Sequence, residues 1–145
     1  MGSIMKTTAF LTLLAVTLLT ACSSIPRNDD SEKAIARYTP YLGEPVSQFN
    51  TYTRFDSWSP VDNDHVVIHT NVNEAYLLTV APGCFDLPFA TSLGVTSKFP
   101  HAVQSGFDSI RVGRQSCRIT EIRPVNDKQM RADLKAEKLE KKARG

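Results

Sequence analysis

The feature that most constrains this chain is a charge-free apolar run from Ala9 to Ala21, which ends at Cys22. At 13 residues it is too short to cross a hydrocarbon core of about 30 Å, since a spanning helix needs roughly 20 residues. With Lys6 before it and small residues at its end, the run has the layout of a secretory signal peptide. We therefore expect residues 1–21 to be removed, leaving 124 residues, enough for one domain.

The end of this run, Leu19-Thr20-Ala21-Cys22, resembles the bacterial lipobox, Leu-small-small-Cys. The resemblance implies diacylglycerol on the Cys22 sulfur, cleavage before Cys22, and a further acyl chain such as palmitate on the new amino group. Several chains on one residue anchor a protein stably, because each buried CH₂ contributes about 0.8 kcal/mol. The residue after the cysteine is Ser23, and in this respect the sequence resembles lipoproteins that are sorted to the outer membrane. The expected location is the bacterial cell envelope, facing the periplasm, with membrane lipid as the partner of Cys22. The alternative is an ordinary secretory signal with a coincidental cysteine.

Three cysteines are an awkward number for an exported protein, since one is left over. If Cys22 carries lipid, Cys84 and Cys117 remain to form a disulfide in an oxidising compartment. The alternative is a reactive or metal-binding thiol pair, which no Cys-x-x-Cys spacing supports. A disulfide that closes this loop should contribute between about 3 and 4.7 kcal/mol on the chain-entropy model.

Residues 41–125 are rich in β-branched and aromatic side chains separated by turn residues, which favours strands. The clearest hairpin pairs 65–70 with 74–80, with Val66/Ile68 and Tyr76/Leu78/Val80 as buried faces. Other expected strands are 49–55, 92–97, 107–112 and 117–122. Between them, 84–90 is expected as an irregular segment held down by the disulfide and by Phe85, Leu87 and Phe89, and 99–106 as a loop. The predicted fold is mainly β, a small antiparallel barrel or sandwich of about six strands.

Two helices are expected outside the strands, a short one near the N-terminus and a longer one at the C-terminus. Asp29-Asp30-Ser31 offers caps for a helix over about 32–38. Asn126 with Gln129 suggests a capping box for a basic helix over about 127–143. The predicted organisation is a signal peptide (1–21), a lipidated cysteine with linker and short helix (22–40), a β domain (41–125) and a basic C-terminal helix (126–145).

Much of the stretch 41–125 resembles a family of small proteobacterial lipoproteins catalogued only as a domain of unknown function. The resemblance implies the signal peptide, the paired cysteines and the domain limits, and it brings no established activity, substrate or catalytic residue. The matching segments are Tyr41-Leu-Gly-Glu-Pro-Val46, Arg54-Phe-Asp-Ser-Trp58, Asn73-Glu-Ala-Tyr-Leu-Leu78, the Cys84 region with Leu87, and Cys117-Arg-Ile-Thr-Glu-Ile-Arg-Pro-Val125.

The three histidines, His65, His69 and His101, are candidates for a metal site. His65 and His69 have a spacing that would suit a helix, but on a strand four residues separate them by roughly 13 Å, too far for one ion. A site would need His101 and a carboxylate to converge by folding, whereas the simpler interpretation is a pair of histidines on a solvent-facing strand. Asp62-Asn63-Asp64 is interpreted as a turn, because the glycine and distal glutamate of a calcium loop are missing. No metal or cofactor is predicted.

The candidate binding surface comprises the aromatic and imidazole side chains of the β domain. Trp58 and Tyr76 could bind sugars or peptides, although a place in the aromatic core is the commoner role of such residues. No nucleophile, phosphate-binding or dinucleotide motif is present, and no two of the domain's aspartates are predicted to meet. No catalytic residue is therefore predicted. The candidate residues are Trp58, Tyr76, His65, His69 and His101.

The expected function is that of a non-enzymatic envelope protein that binds another envelope protein or a cell-wall polymer. The nearly neutral charge, 17 basic against 15 acidic residues, argues against nucleic acid as a partner. Residues 123–145 are basic, so this helix could touch anionic lipid or polymer. The alternative is a small inhibitor or ligand-binding barrel acting through a loop such as 99–106; small disulfide-bonded lipoproteins that inhibit lysozyme are similar in plan. A hydrolase is the third hypothesis.

Overall fold

The computed structural model describes residues 29–51 and 54–145. The predicted signal peptide and Cys22 lie outside the described residues, as do two residues of the predicted strand 49–55.

The expectation of a mainly β fold is confirmed. Six strands form one antiparallel sheet in the order β2-β3-β4-β8-β7-β5, and this sheet curls into a half-barrel. Strands β1 and β6 pair separately as a small ribbon. The strands are β1 (Gln48–Asn50), β2 (Ser57–Pro60), β3 (His65–Asn71), β4 (Glu74–Val80), β5 (Leu93–Thr96), β6 (Ala102–Gln104), β7 (Ser109–Val112) and β8 (Gln115–Val125). The helices are α1 (Asp29–Ala36), α2 (Asp127–Arg144) and two single 3₁₀ turns, Thr39–Tyr41 and Leu87–Phe89.

The main core fills the inner face of the curled sheet. The predicted hairpin forms as β3 and β4, and alternate residues of each strand point inward because successive side chains of a strand point to opposite faces. Val66, Ile68, Leu78 and Val80 are buried as expected, while Tyr76 is half-buried at the edge of the core. Strand β8 contributes Ile119, Ile122 and Cys117 to the same core.

The outer face carries a second, smaller core that the sequence interpretation did not include. Val67, Ala75, Leu77 and Val125 are buried on that face. Side chains of α1 and of the turn after it pack on them, notably Ile35, Tyr38 and Tyr41. The apolar pairs Val66-Val67 and Leu77-Leu78 are typical of strands covered on both faces, so the signal was present.

The disulfide between Cys84 and Cys117 is present, with the two Cα atoms 5.8 Å apart. The expectation that Phe85 and Phe89 hold down the segment after Cys84 is wrong, because they are 71% and 83% exposed. Leu87 alone of the three is buried. The reason is local: Cys84 and Leu87 are three residues apart on one side of a turn, which directs the neighbouring phenylalanines to solvent.

Several boundaries differ from those expected. The first helix begins at Asp29 and ends at Ala36 instead of covering 32–38. Of the strand expected over 49–55, residues 49 and 50 belong to the three-residue β1, while the described residues 51, 54 and 55 lie outside any strand. Strand β2 was not predicted. The segment expected to be a loop, 99–106, contains β6.

The C-terminal helix α2 begins where its cap predicts. The Asn126 side chain accepts a hydrogen bond from the Gln129 backbone N–H at 3.2 Å. The reciprocal bond of a capping box is absent, because the Gln129 amide donates to Asp133 instead, at 2.8 Å. Only the start of α2 packs on the domain, and most of its residues are exposed. None of the helices in the described residues is long and apolar enough to span a membrane.

Candidate binding cleft

A cleft of about 800 Å³ lies beside β5, an edge strand of the six-stranded sheet. Thr51, Arg54 and Phe55, which precede β2 in the chain, also line it. The loop between β5 and β6 forms a further wall. The lining residues are Thr51, Arg54, Phe55, Leu93, Gly94, Val95, Ser97, Phe99, Pro100, His101, Ala102 and Val103.

The loop wall is fixed by the carboxylate of Asp108, which is 1% exposed. Its Oδ2 accepts hydrogen bonds from the Ser97 hydroxyl at 2.9 Å and from the Gln104 backbone N–H at 2.8 Å. Its Oδ1 accepts from the Lys98 backbone N–H at 3.2 Å. A buried carboxylate is costly unless it is hydrogen-bonded, so these three bonds both satisfy Asp108 and connect the start of the loop, at Ser97 and Lys98, to Gln104 at the end of β6.

The tip of the loop is held at its other side by main-chain contacts. His101 has a φ of 67°, a left-handed conformation in which histidine is among the more tolerated residues. Its carbonyl accepts a hydrogen bond from the Thr51 N–H at 2.9 Å. This bond extends the β1–β6 pairing by one residue pair. Phe99 beside the tip is 55% exposed. The loop thus presents an aromatic and an imidazole side chain from a constrained backbone.

The chemistry of the lining is apolar with a cationic margin. Phe55, Leu93 and Val95 are half-buried and contribute the apolar surface. The exposed Arg54 supplies positive charge, and none of the described lining residues is acidic. Such a site can hold an apolar group and an anionic group side by side. The one hydroxyl on the loop wall, that of Ser97, is already bound to Asp108.

The predicted candidates His65 and His69 lie away from this cleft. They occupy one face of β3 and each side chain is only 25% exposed, less than expected for a solvent-facing strand. The Nδ1 of His65 is 2.8 Å from an Asp62 oxygen, within the predicted turn. The Nδ1 of His69 is 3.7 Å from Oδ2 of Asp127 at the start of α2. Among the described residues, no group of three His, Cys, Asp or Glu side chains is placed to hold a metal ion.

Trp58 and Tyr76 lie in the row of side chains that crosses the inner face through Ile68. Both are half-buried against the core, and Tyr76 stacks on Phe49 with ring centroids 4.6 Å apart. Burial, together with a hydrogen bond from its hydroxyl to Glu74, raises the pKa of Tyr76 to about 12. These rings therefore form part of the domain's packing.

Of the five predicted candidates, only His101 lines the cleft. Sequence reasoning missed Arg54 and Phe55 as lining residues, and it missed Asp108 as the residue that fixes the loop. The sequence offers only weak signals: residues 54–58 belong to one of the segments that carry the family resemblance, and Asp108 follows a Gly-Phe pair. Neither signal indicates a cleft without the fold.

The curled sheet, the Cys84–Cys117 disulfide and the open cleft define this protein as a small, disulfide-bonded antiparallel β half-barrel. The chain belongs to the Family of unknown function (DUF6491), whose profile matches residues 5–141. Neither a curated protein nor a solved structure shows significant similarity to it.

Proposed function

We propose that this protein is a lipid-anchored module of the bacterial cell envelope that binds another envelope component in the cleft without catalysing a reaction. The observation that carries the proposal is the fixed loop wall. Asp108 ties Ser97, Lys98 and Gln104 together, so the concave surface is organised before a ligand arrives. Preorganisation of this kind raises affinity because less freedom is lost on binding.

The anchor at Cys22 rests on the lipobox resemblance, which also supports the periplasmic face of the outer membrane as the location. Only residues 23–28 separate Cys22 from the start of α1. Even fully extended, this linker reaches no more than about 25 Å at roughly 3.5 Å per residue. A domain on such a short tether can meet partners only near the membrane surface, such as other membrane-attached proteins or the adjacent cell-wall polymer.

The anchor is tested by mass spectrometry of the mature protein. The expected N-terminal peptide begins with Cys22 and carries three acyl chains. An unmodified N-terminus at another residue would overturn the anchor and leave the cleft proposal standing.

Binding in the cleft is tested by photo-crosslinking in intact cells. A benzoyl derivative of phenylalanine replaces Phe99 at the cleft, and in a matched variant it replaces Phe85, which is similarly exposed but is not a lining residue of the cleft. We expect a discrete adduct from position 99 and none of that size from position 85. Adducts from position 85 alone, or none from position 99 in any growth phase, would contradict binding in the cleft.

A second candidate, an inhibitor that inserts its loop into a target enzyme, is favoured by the exposure of Phe99 next to the constrained His101. Rigid exposed loops suit this role because little flexibility is lost in the complex. The test is titration of lysozymes with the purified protein in a cell-wall lysis assay. An inhibitor would abolish activity near a 1:1 ratio and would lose this effect on Phe99→Ala. Full lysis at tenfold excess of the protein excludes lysozyme as the target.

A further inference from the structure

Strand β5 has an unpaired edge that faces the cleft. It is the last strand of the six-stranded sheet and, among the described residues, it pairs with β7 alone. In an antiparallel strand alternate residues direct their N–H and C=O groups to opposite sides, so β5 presents main-chain donors and acceptors toward its open edge. Leu93, Gly94 and Val95 of this strand all line the cleft. Exposed edges of this kind are templates for pairing with another chain.

The fold alone gives no reason for a glycine at position 94, at the centre of β5. A Cβ built there meets only the Arg111 Cβ, at 3.9 Å, which is ordinary van der Waals contact. Its φ is also outside the left-handed region that favours glycine. Glycine weakens a strand, and one reason to find it there is the close approach of another backbone. At Gly94 no described part of the chain makes such an approach, so the space beside it is open to a partner.

The charge of the cleft selects the kind of partner. Arg54 lines the same cleft as β5 and is exposed, and it has no ion-pair partner among the described residues. With no acidic group among the described lining residues, the cleft favours an anionic ligand. A carboxylate is the natural match, because a guanidinium can bind it through two parallel hydrogen bonds.

We propose that the cleft binds an extended acidic peptide segment of a partner protein, which pairs with β5 as an additional strand while Arg54 binds one of its carboxylates. This inference rests on the proposed function and names the ligand of the same cleft. Main-chain pairing supplies affinity in this mode, and pockets for alternate side chains supply specificity. Four residues of β5 span about 14 Å at 3.4 Å each, so the bound segment is about four to six residues long.

The experiment begins with selection of peptides that bind the protein. A random dodecapeptide display library is panned against the full chain in detergent micelles, with empty micelles as the background. The enriched sequence is then synthesised, and its dissociation constant is measured by fluorescence anisotropy. We expect enrichment of β-branched residues with Asp or Glu, and slower amide hydrogen exchange in β5 when the peptide is bound.

Two sets of variants separate strand pairing from other binding. Arg54→Glu should weaken the peptide at least tenfold, whereas Arg114→Glu, which reverses an exposed arginine in the β7–β8 turn, should change affinity less than twofold. Two versions of the peptide are methylated on alternate backbone nitrogens, in sets displaced by one residue. One set should abolish binding and the other should leave it nearly intact, because only every second N–H of an added strand faces β5.

Equal binding by both methylated peptides, or full affinity of Arg54→Glu, would overturn strand addition. If no peptide is enriched while the crosslinker at position 99 captures a polymer or a lipid, the proposal of a peptide ligand is refuted. The proposal that the cleft binds an envelope component is then still supported. If no peptide is enriched and position 99 gives no adduct, both proposals fall.

Discussion

Replacing Asp108 should show that one buried carboxylate holds the wall of the cleft. Asp108→Ala removes the acceptor of three hydrogen bonds, from the Ser97 hydroxyl and from the backbone N–H groups of Lys98 and Gln104. Hydrogen bonds to a charged group contribute about 1.5–3 kcal/mol each. The Ser97 hydroxyl can turn to the carbonyl of Phe99 at 3.0 Å, so one of the three losses is partly recovered.

The remaining two bonds bring the loss to about 3–6 kcal/mol. The mutation also removes the cost of burying a charge, so we expect a net destabilisation of about 3 kcal/mol. The measurement is urea unfolding with the disulfide intact, followed by fluorescence of the single tryptophan, Trp58. Asp56→Ala is the matched control: its side chain is exposed, so we expect a change within about 0.5 kcal/mol.

A second substitution separates hydrogen bonding from packing at this position. Asp108→Asn keeps the volume but replaces one acceptor oxygen with a donor that faces N–H groups. If the hydrogen bonds stabilise the loop, this variant should lose at least half as much free energy of unfolding as Asp108→Ala. It should also speed amide exchange at Lys98 and Gln104. A loss below about 1 kcal/mol for Asp108→Ala, or a neutral Asp108→Asn, would refute the reasoning.

Three further outcomes are expected. The double replacement Cys84→Ala/Cys117→Ala should lower the free energy of unfolding by about 4 kcal/mol on the chain-entropy model; in urea titrations a loss under about 1 kcal/mol would contradict a stabilising bond. Because the pKa of Tyr76 is raised to about 12, the folded state keeps a proton that the unfolded state loses above pH of about 10, so stability should fall as pH rises between these values. Tyr76→Phe should flatten that decline in urea midpoints, and an unchanged slope would count against the assignment. Leu87→Ala should cost about 2–5 kcal/mol while Phe85→Ser costs less than about 0.5 kcal/mol; equal effects in thermal unfolding would place both residues in the core.

The longer strands could be predicted because each is specified by its own residues. In β4, the alternation of Tyr76, Leu78 and Val80 with outward-facing residues gives the period of two that a strand requires. The same is true of β3, and the turn between them is marked by asparagines at both ends. Local pattern and tertiary packing agree here, so both strand limits fall within a residue of those predicted.

The short strands could not be predicted because distant residues specify them. Strand β6 is three residues long, and it is a strand only because β1, more than fifty positions earlier, pairs with it. Strand β2 ends in Pro60, a residue that ordinarily counts against a strand, and it is tolerated because β2 is an edge strand. In both cases the pairing is decided by the tertiary fold, which brings distant segments together and leaves no local sequence pattern.

The cleft depends on the same non-local information. Its lining comes from Thr51, Arg54 and Phe55, from β5 and from the loop that follows β5, and only that loop could be singled out from composition. Asp108 shows why: the carboxylate is separated from Ser97 by eleven positions, and its role follows from the fold that buries it. A single aspartate in a sequence suggests acid–base chemistry as readily as structure. Burial with three donors around it removes that ambiguity, because a carboxylate that accepts hydrogen bonds from the β5–β6 loop and from β6 is a positioning group. The chemistry available to a ligand therefore comes from Arg54 and the β5 edge, neither of which has a partner within the described chain.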